Sequence, residues 1–350
     1  MNNLREEILK KVLLVSPLPP PIGGIASWTE SFIKYYNKNG LEYSLVNSAI
    51  TGNRLKTGKV SFCEELKRSL KLRKILKKEI IKNKNKEVVI HYNSSCSTFG
   101  LIKDLIILMG CSKPIVYQCH CNLPIHLNKR ISFYLFEKIC KIVDVVCVLN
   151  SKSLEVVERL KKEVYYIPNF IEKLYVVDPK INKEIKKCCF VGRVVKAKGI
   201  EEYLEAAKNN KEMEFYVIGP LEDKNIELSK ITNLNFLGPK SNKEVIEILK
   251  TMDVYILPSY TEGFPLGVLE AMSCGVPVIA TDVGAISDMI GNKGGILINS
   301  KSSKEIVDAL EKISSQDIRE KMSIFNINKV KNEYLINVVM KKFINIYEML

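Results

Sequence analysis

Short apolar runs alternate with stretches of helical periodicity along most of the chain, and this alternation constrains the fold more than any other feature. Several runs are unbroken Val, Ile and Leu, as in parallel strands that are buried on both faces. Strands that alternate with helices form βαβ units around a parallel sheet. The sequence therefore predicts an α/β fold.

The predicted elements fall into two series. The first has strands at Lys11–Pro17, Tyr43–Val46, Glu87–His91, Pro114–Cys119, Asp144–Leu149 and Val164–Ile167, with helices near 25–38, 64–84, 98–110, 130–142 and 151–162. The second has strands at Cys188–Val191, Glu214–Ile218, Leu234–Leu237, Val254–Leu257, Val276–Ala280 and Gly295–Ile298, with helices near 199–208, 242–250, 265–274 and 302–314. Two more helices are predicted at 316–327 and 330–349.

A polar, lysine-rich stretch at 171–186 separates the two series and is interpreted as a linker. Because 350 residues exceed the size at which one core stops growing, we predict two doubly wound domains, at 1–170 and 185–328. Doubly wound sheets bind ligands beyond the carboxyl ends of their strands. The residues that carry chemistry are therefore expected on loops that follow strands.

Membrane spans and metal sites are not expected from the sequence. No apolar run reaches transmembrane length, and Glu6 and Glu7 precede the first apolar run, which argues against a cleaved signal peptide. Most of the ten cysteines lie in apolar segments, as do buried free thiols in a reducing cytoplasm. Cys119-His120-Cys121 places its thiols on one strand face and its imidazole on the other, so a zinc site is not expected.

The positive charge is confined to one half of the chain. Residues 1–170 hold 28 Lys and Arg against 14 acidic residues, whereas residues 171–350 hold 25 of each. Residues 67–86 contain ten cations and one acid, interspersed with Leu and Ile. This pattern is typical of a helix on an anionic membrane surface, and also of a solvated outer helix. The charge asymmetry favours the membrane, and nothing resembles a nucleic-acid-binding module.

The most informative segment is Pro258–Val278, where a strand, a loop and a helix follow one another. The loop carries Glu262 and Gly263, and the helix opens near Pro265, where a missing N–H has no cost. Backbone amides at a helix N-terminus favour phosphate. The amides expected to face a ligand are those of Leu266, Gly267 and Val268. Glu270, about one turn further, can accept hydrogen bonds from vicinal hydroxyls, as Glu262 can from a sugar ring.

A second segment places two cations after a strand. Arg193 follows Phe190-Val191-Gly192, and Lys198 precedes the next helix. An arginine offers planar, bidentate contacts and a lysine a mobile point charge, which together suit a diphosphate. Lys196 is the alternative second cation. No Asp-x-Asp triplet occurs, which favours charge neutralisation by side chains and helix dipoles over a metal ion.

The segment from Pro258 to Val278 resembles the signature of the family 4 retaining glycosyltransferases. That resemblance implies the GT-B fold, in which two Rossmann-like domains face each other across a cleft. It implies that Glu270 holds the nucleotide ribose, and that Glu262, with the backbone of Gly263 and Phe264, contacts the donor sugar. It also implies that Arg193 and Lys198 neutralise the departing diphosphate.

Two positions in the first series match the family more loosely. Gly23-Gly24 corresponds to a glycine-rich loop that faces the donor phosphates, and glycines let a backbone approach a ligand closely. A helix is expected to start just after it, at Ile25 or Ala26. His120 corresponds to a histidine near the sugar C6 or the reacting face, although Cys121 stands where many relatives have an acidic residue. A purely structural histidine is the alternative for His120.

The resemblance implies a retaining hexosyltransferase that needs no metal and no cofactor. The donor would be a UDP- or GDP-linked sugar, and the acceptor a glycan or lipid-linked glycan of a cell-surface polysaccharide. The first domain would bind the acceptor, and a terminal helix at 330–350 would pack back onto it. We expect a cytoplasmic protein, free or peripheral at the inner face of the membrane, with no nucleic-acid partner. A non-catalytic binding subunit and a nucleotide-sugar epimerase of the same fold are the alternatives.

Overall fold

The computed structural model describes residues 10–20, 23–49, 62–176, 178–179, 181–223 and 225–350. The chain divides into two compact units. One comprises the chain up to Asn169 together with Val339–Leu350, and the other comprises Phe170–Val338. The segment around Glu6 and Glu7, on which the signal-peptide prediction depends, lies outside the described residues.

The described residues of the first unit include a sheet of six parallel strands. They are β1 (Lys11–Ser16), β2 (Tyr43–Asn47), β3 (Val88–Ser94), β4 (Ile115–Cys119), β5 (Val145–Val148) and β6 (Val164–Tyr166). Their order across the sheet is β2-β1-β3-β4-β5-β6. The residues of β3, β4 and β5 are buried throughout, as expected of strands covered on both faces.

Helices connect these strands. They are α1 (Gly24–Lys38), α2 (Phe62–Lys82), α3 (Thr98–Leu108), α4 (Leu123–His126), α5 (Arg130–Cys140) and α6 (Ser151–Arg159). α2 packs beside α3, and α3 packs beside α5, so these three helices form one layer. Asn150 caps α6 and Ser97 caps α3, each accepting a hydrogen bond from a backbone N–H of the first turn.

The second unit contains another sheet of six parallel strands. They are β7 (Lys187–Val191), β8 (Glu214–Ile218), β9 (Leu234–Gly238), β10 (Val254–Leu257), β11 (Val278–Thr281) and β12 (Gly295–Ile298). Their order is β12-β11-β10-β7-β8-β9. The helices are α7 (Ile200–Asn209), α8 (Asn242–Leu249), α9 (Leu266–Ser273), α10 (Ile286–Ile290), α11 (Ser303–Lys312), α12 (Gln316–Lys329) and α13 (Ile336–Met349).

The predicted α/β class with two doubly wound sheets is confirmed, and each predicted strand is present. α4 and α10 were not predicted, because four and five residues are too few to display a helical period. The helix predicted at 330–349 is interrupted, because Val330–Tyr334 forms a π-helical turn before α13. The division between the units falls inside α13, whose Phe343 and Tyr347 contact His91 of the first unit.

The stretch interpreted as a linker is part of the second unit. Ile171 forms a parallel bridge with Leu335, and the N–H of Tyr175 donates to the carbonyl of Ser273 at 3.2 Å. Asn182 donates to the carboxylate of Asp253 at 2.7 Å. Backbone and side-chain hydrogen bonds therefore attach this polar segment to the second unit.

Within the described ranges, no helix combines the length and the apolar character that a bilayer crossing requires. The ten cysteines are all free, and eight of them are buried.

Candidate functional site

The site predicted in the second unit lies where the sheet changes winding direction. β7 and β10 are neighbours, but β7 continues to β8 on one side and β10 continues to β11 on the other. Such a topological switch point leaves a crevice at the carboxyl ends of the two strands, where doubly wound folds bind ligands. Arg193 and Lys198 follow β7, and Glu262 and α9 follow β10. The fold therefore brings both predicted segments to one edge.

Lys198 and Glu262 form an ion pair at this edge. The Nζ of Lys198 lies 2.5 Å from Oε1 of Glu262, and the side chains are 22% and 8% exposed. The hydroxyl of Ser259 donates to the same oxygen at 2.7 Å. Because both partners are largely withdrawn from water, their attraction is screened less than that of a surface pair.

A glycine permits the close approach that makes this pair. Lys198 ends a 3-10 turn at Lys196–Lys198, and Gly199 follows with φ of +69° before α7 begins. A Cβ at Gly199 would collide with the carbonyl of Pro258. Glycine alone therefore satisfies both the left-handed backbone and the contact with the end of β10.

The two other cations that follow β7, Arg193 and Lys196, pair with carboxylates at the surface. Arg193 lies 3.2 Å from Glu222, and both side chains are well exposed. Lys196 lies 2.9 Å from Glu201, also at the surface. Among the residues that the structure describes, Arg193 forms its ion pair with Glu222 and none with Glu262. Lys198 is thus the cation that the fold places beside the predicted sugar-contacting carboxylate.

The N-terminus of α9 offers two of the three predicted amides. The N–H of Val268 donates to the carbonyl of Pro265 at 3.2 Å, so the prediction that this amide faces a ligand is wrong. No described residue accepts a hydrogen bond from the amides of Leu266 and Gly267, and the first turn carries no acidic side chain. A Cβ at Gly267 would lie 2.5 Å from the hydroxyl oxygen of Tyr255.

Glu270 is half-buried on α9 and accepts a hydrogen bond from Nδ2 of Asn242 at 2.5 Å. Burial raises the pKa of Glu270 to about 7, and the hydrogen bond from Asn242 opposes this shift. The carboxyl group is therefore half-ionised near neutral pH. Additional hydroxyl donors would favour its charged form.

The loop that carries Glu262 is braced from behind. The N–H of Ala285 donates to the carbonyl of Gly263 at 2.9 Å, and Gly284 packs directly against the carbonyls of Glu262 and Gly263. Phe264 is buried, with its ring edge-on to Tyr334 at 5.7 Å. These contacts fix the backbone that follows β10.

In the first unit, Gly23 and Gly24 lie at the start of α1. Gly23 is the N-cap in an extended conformation, and the helix begins at Gly24 rather than at Ile25 or Ala26. A Cβ on either glycine would meet no atom within 4 Å. The backbone of this loop is therefore open to an approaching group, and no contact within the unit requires glycine at either position.

His120 follows β4 and contacts a buried polar network. Its Nε2 lies 2.9 Å from Oδ1 of Asn93, and its ring meets Trp28 edge-on at 5.5 Å. Oδ1 of Asn93 is shared with Nε2 of His91 at 3.0 Å. Burial, together with the nearby His91, lowers the pKa of His120 to about 3. The ring is therefore neutral at physiological pH and donates a hydrogen bond to Asn93.

Comparison with known proteins identifies a family for part of the chain. Residues 173–330 match the model of the glycosyl transferases group 1 family. This range includes Lys198, Glu262 and the whole of α9. The second unit therefore carries a segment of the group 1 glycosyltransferase family.

Individual relatives extend the match beyond that range. A Campylobacter jejuni N,N'-diacetylbacillosaminyl-diphospho-undecaprenol alpha-1,3-N-acetylgalactosaminyltransferase is 29% identical over 222 residues, which cover 58% of this chain and 54% of that relative, about half its length. The capsular polysaccharide biosynthesis glycosyltransferase CapM of Staphylococcus aureus is 25% identical over 90% of this chain and 92% of its own. Anabaena HepE, solved with UDP-glucose, has the same fold, with a TM-score of 0.71 at 13% identity over 97% of this chain and 100% of its own.

Several residues that shape this site were not found from the sequence. Asn242 lies 28 positions from Glu270, and Gly284 lies in the turn after β11. Ser241 and Glu244 form a capping box, which places the start of α8 but not the contact that Asn242 makes. Across the described residues, no group of three or more His, Cys, Asp or Glu is arranged to hold a metal ion.

Proposed function

We propose that this protein is a group 1 glycosyltransferase that moves a hexosyl unit from a UDP- or GDP-linked donor to a glycan or lipid-linked acceptor during synthesis of a cell-surface polysaccharide. The printed functions of the relatives support this: one acts on a diphospho-undecaprenol-linked sugar, one belongs to capsule synthesis, and one was solved with UDP-glucose. The observation that carries the proposal is the ion pair of Lys198 and Glu262 beside the N-terminus of α9, at the switch point of the second sheet.

The second unit would bind the donor. Lys198 and the amides of Leu266 and Gly267 would take up the negative charge that develops on the departing diphosphate, and the exposed Arg193 would turn toward it. Glu270 would accept hydrogen bonds from the ribose hydroxyls. A phosphate that pairs with Lys198 would leave Glu262 to bind the donor sugar together with the backbone of the next two residues, Gly263 and Phe264.

The first unit would bind the acceptor, with Gly23 and Gly24 facing the donor phosphates and His120 a polar contact for the sugar. The acceptor hydroxyl would attack on the face that the diphosphate leaves, which retains the anomeric configuration, and a phosphate oxygen would take the hydroxyl proton. Catalysis would then consist of positioning and electrostatic stabilisation. Because protein groups neutralise the leaving group, neither a metal ion nor a cofactor would be needed.

Donor binding is the first test. We expect UDP- or GDP-sugars to raise the unfolding temperature of the wild-type protein equally with and without EDTA. Glu270→Ala should abolish that increase, whereas Glu311→Ala, at an exposed glutamate of α11, should retain it. An equal increase in Glu270→Ala would refute the ribose assignment, and an increase that EDTA removes would refute metal independence.

Turnover distinguishes transfer from the alternatives. With a labelled nucleotide-sugar and a lipid-linked acceptor, we expect a labelled glycolipid and free UDP or GDP. A rearranged nucleotide-sugar formed without acceptor would indicate an epimerase. Tight donor binding without any product would indicate a binding subunit.

We further propose that the protein is cytoplasmic and associates peripherally with the anionic inner face of the membrane through residues 67–86. Eight lysines of this segment are exposed, at positions 67, 71, 74, 77, 78, 82, 84 and 86. Leu70 is 43% exposed and Ile81 is 68% exposed among them. Cations interspersed with exposed aliphatic side chains suit the headgroup region of an anionic bilayer.

Vesicle sedimentation tests this association. The variant Lys71→Glu, Lys74→Glu, Lys78→Glu removes three attractions of about 1 kcal/mol each, so the partition coefficient should fall at least about hundredfold on vesicles with 30% phosphatidylglycerol. The matched control is Lys211→Glu, Lys321→Glu, Lys331→Glu, which reverses as many exposed charges in the second unit. Equal binding by both variants would show that net charge, and not this segment, is responsible.

A further inference from the structure

The first unit contains a cavity of about 360 Å³ at its own switch point. β1 and β3 are neighbours, but β1 continues to β2 on one side and β3 continues to β4 on the other. The cavity is lined by the start of α1, by residues that follow β2 and β3, and by side chains of α2 and α3. Its position is the one where a doubly wound sheet binds a ligand.

Lys103 of α3 brings a positive charge to this cavity, where its partners among the described residues are one carboxylate and the ring of Tyr92, 5.9 Å from its Nζ. Its side chain is 15% exposed, and its Nζ lies 3.3 Å from Oδ1 of Asp104. It donates no hydrogen bond to any described residue. Asp104 is fully buried and already accepts hydrogen bonds from the hydroxyls of Tyr92, Ser94 and Tyr117. A largely buried ammonium group requires acceptors, so the cavity is where a ligand would supply them.

Arg68 of α2 is a second cation on the cavity wall. Its side chain is 20% exposed, and one N–H donates to Oε1 of Glu65 at 2.9 Å while another donates to the carbonyl of Ser48. A guanidinium group has five N–H donors, so three remain after these bonds. The two bonds orient the plane of the group, which prepares it for a planar, bidentate contact with phosphate.

The remaining surroundings also favour an anion. The Gly23-Gly24 start of α1, which is proposed above to face the donor phosphates, forms one side of the cavity, so an anion held by Lys103 and Arg68 would lie beside that donor-facing loop. Of the lining residues that the structure describes, Glu65 alone is acidic, and it already pairs with Arg68. Phe99, which is 57% exposed, adds an apolar surface for whatever is attached to the anion.

We propose that this cavity binds a phosphate or diphosphate group of the acceptor, with Lys103 and Arg68 as its cationic ligands. This inference rests on the proposed function, in which the first unit binds the acceptor. The group could belong to a polyprenyl diphosphate or to a sugar phosphate, since both present the same oxygens to the two cations. A neutral glycan would offer hydroxyl oxygens to Lys103 and Arg68 but no negative charge to balance them.

Calorimetric titration of the full chain tests the proposal. The probes are farnesyl diphosphate for the lipid source, inositol phosphate for the sugar source, and inorganic pyrophosphate for the group itself, with UDP and GDP as donor-site references. Each charge-assisted hydrogen bond lost should weaken binding about tenfold or more. We therefore expect Lys103→Gln and Arg68→Gln each to raise the Kd of the phosphate probe by at least that factor, with the Kd of the nucleotide unchanged.

Control variants separate binding from folding. Lys141→Gln makes the same substitution at an exposed lysine that pairs with Glu137 outside the cavity, and it should leave each Kd unchanged. Lys103→Arg keeps the charge above Asp104 and should restore most of the affinity that Lys103→Gln loses. If Lys103→Gln does not fold, Arg68→Gln and Lys103→Arg still decide the question.

The outcomes distinguish this inference from the function on which it rests. Binding of UDP or GDP without binding of any phosphate probe would overturn the inference and leave the proposed function intact. Failure of each nucleotide to bind would count against the proposed function itself. Equal losses of probe and nucleotide affinity in Lys103→Gln would show that the cavity serves the donor. Of the probes, farnesyl diphosphate binding tighter than inositol phosphate would identify the lipid source, and the reverse order the sugar source.

Discussion

Replacing Glu270 by glutamine should stabilise the protein at alkaline pH, although Glu270 is a proposed ligand-binding residue. Burial raises the pKa of its carboxyl group from 4.5 to about 7. Between these values the unfolded chain loses its proton while the folded chain keeps it, so stability falls as pH rises, and above about pH 7 the cost is complete. The shift corresponds to about 3 kcal/mol, which partial exposure of the side chain reduces to roughly 2 kcal/mol.

Glutamine keeps the shape of the side chain and the acceptor oxygen for Asn242 but cannot ionise. At pH 8 we expect Glu270→Gln to exceed the wild type by about 2 kcal/mol, which in a unit of this size raises the unfolding temperature by roughly 4–8 °C. At pH 5 the advantage should shrink below about 1 kcal/mol. Thermal unfolding of both proteins across pH 5–8.5 measures this stability difference, and Glu311→Gln serves as the control at an exposed glutamate.

When the donor is bound, Glu270→Gln should destabilise the protein relative to the wild type instead of stabilising it. Ribose hydroxyls that donate to Glu270 favour its charged form, so binding near pH 6.5 should release most of one proton. Calorimetry in two buffers of different ionisation enthalpy measures that release, and Glu270→Gln should abolish it while weakening binding. If the stability difference does not vary with pH and no proton is released, the buried carboxyl group is not what the nucleotide contacts.

Three further outcomes follow from the geometry. Gly199→Ala should cost at least about 2 kcal/mol of unfolding free energy, because a left-handed residue acquires a Cβ that collides with Pro258; an unchanged unfolding temperature would refute this. Lys198→Met and Glu262→Gln should show a coupling of roughly 0.5–3 kcal/mol in a double-mutant cycle of unfolding free energies, and strictly additive effects would mean that they are not paired. With its pKa near 3, His120 does not titrate between pH 5 and 8, so His120→Gln should lower kcat/KM without changing the shape of its pH profile over that range.

The fold could be predicted from sequence because apolar periodicity records burial directly. The predicted ends of strands are wrong where polar residues are buried. The third strand was predicted to end at His91, but β3 continues through Tyr92 and Asn93 to Ser94. Those side chains are buried because Tyr92 and Ser94 donate hydrogen bonds to the carboxylate of Asp104. Hydrogen bonds across the unit allow a polar segment to remain in a strand, and hydropathy does not register them.

Sequence could predict the parts of the site whose residues lie close together along the chain. Glu262, Gly267 and Glu270 lie on one strand-loop-helix segment, so their spacing alone places them near one another. The hydrogen bond from Asn242 joins two helices, and the approach of Gly199 to Pro258 joins the ends of two strands. Such contacts depend on packing between distant segments, and one sequence does not encode them as a pattern.

Lys103 and Lys198 show why the partners of a charged residue decide its interpretation. Each lies at the switch point of its own sheet, and each is largely buried, with 15% and 22% of the side chain exposed. In the sequence neither lysine is distinctive, because Lys198 lies beside Lys196 and Lys103 lies within a helix. Lys198 has Glu262 at 2.5 Å, so an incoming phosphate must compete with a carboxylate and releases that carboxylate when it binds. Lys103 lies 3.3 Å from Asp104, whose carboxylate also accepts hydrogen bonds from three hydroxyls, so an incoming phosphate would share the lysine with that carboxylate and accept hydrogen bonds from its remaining donors.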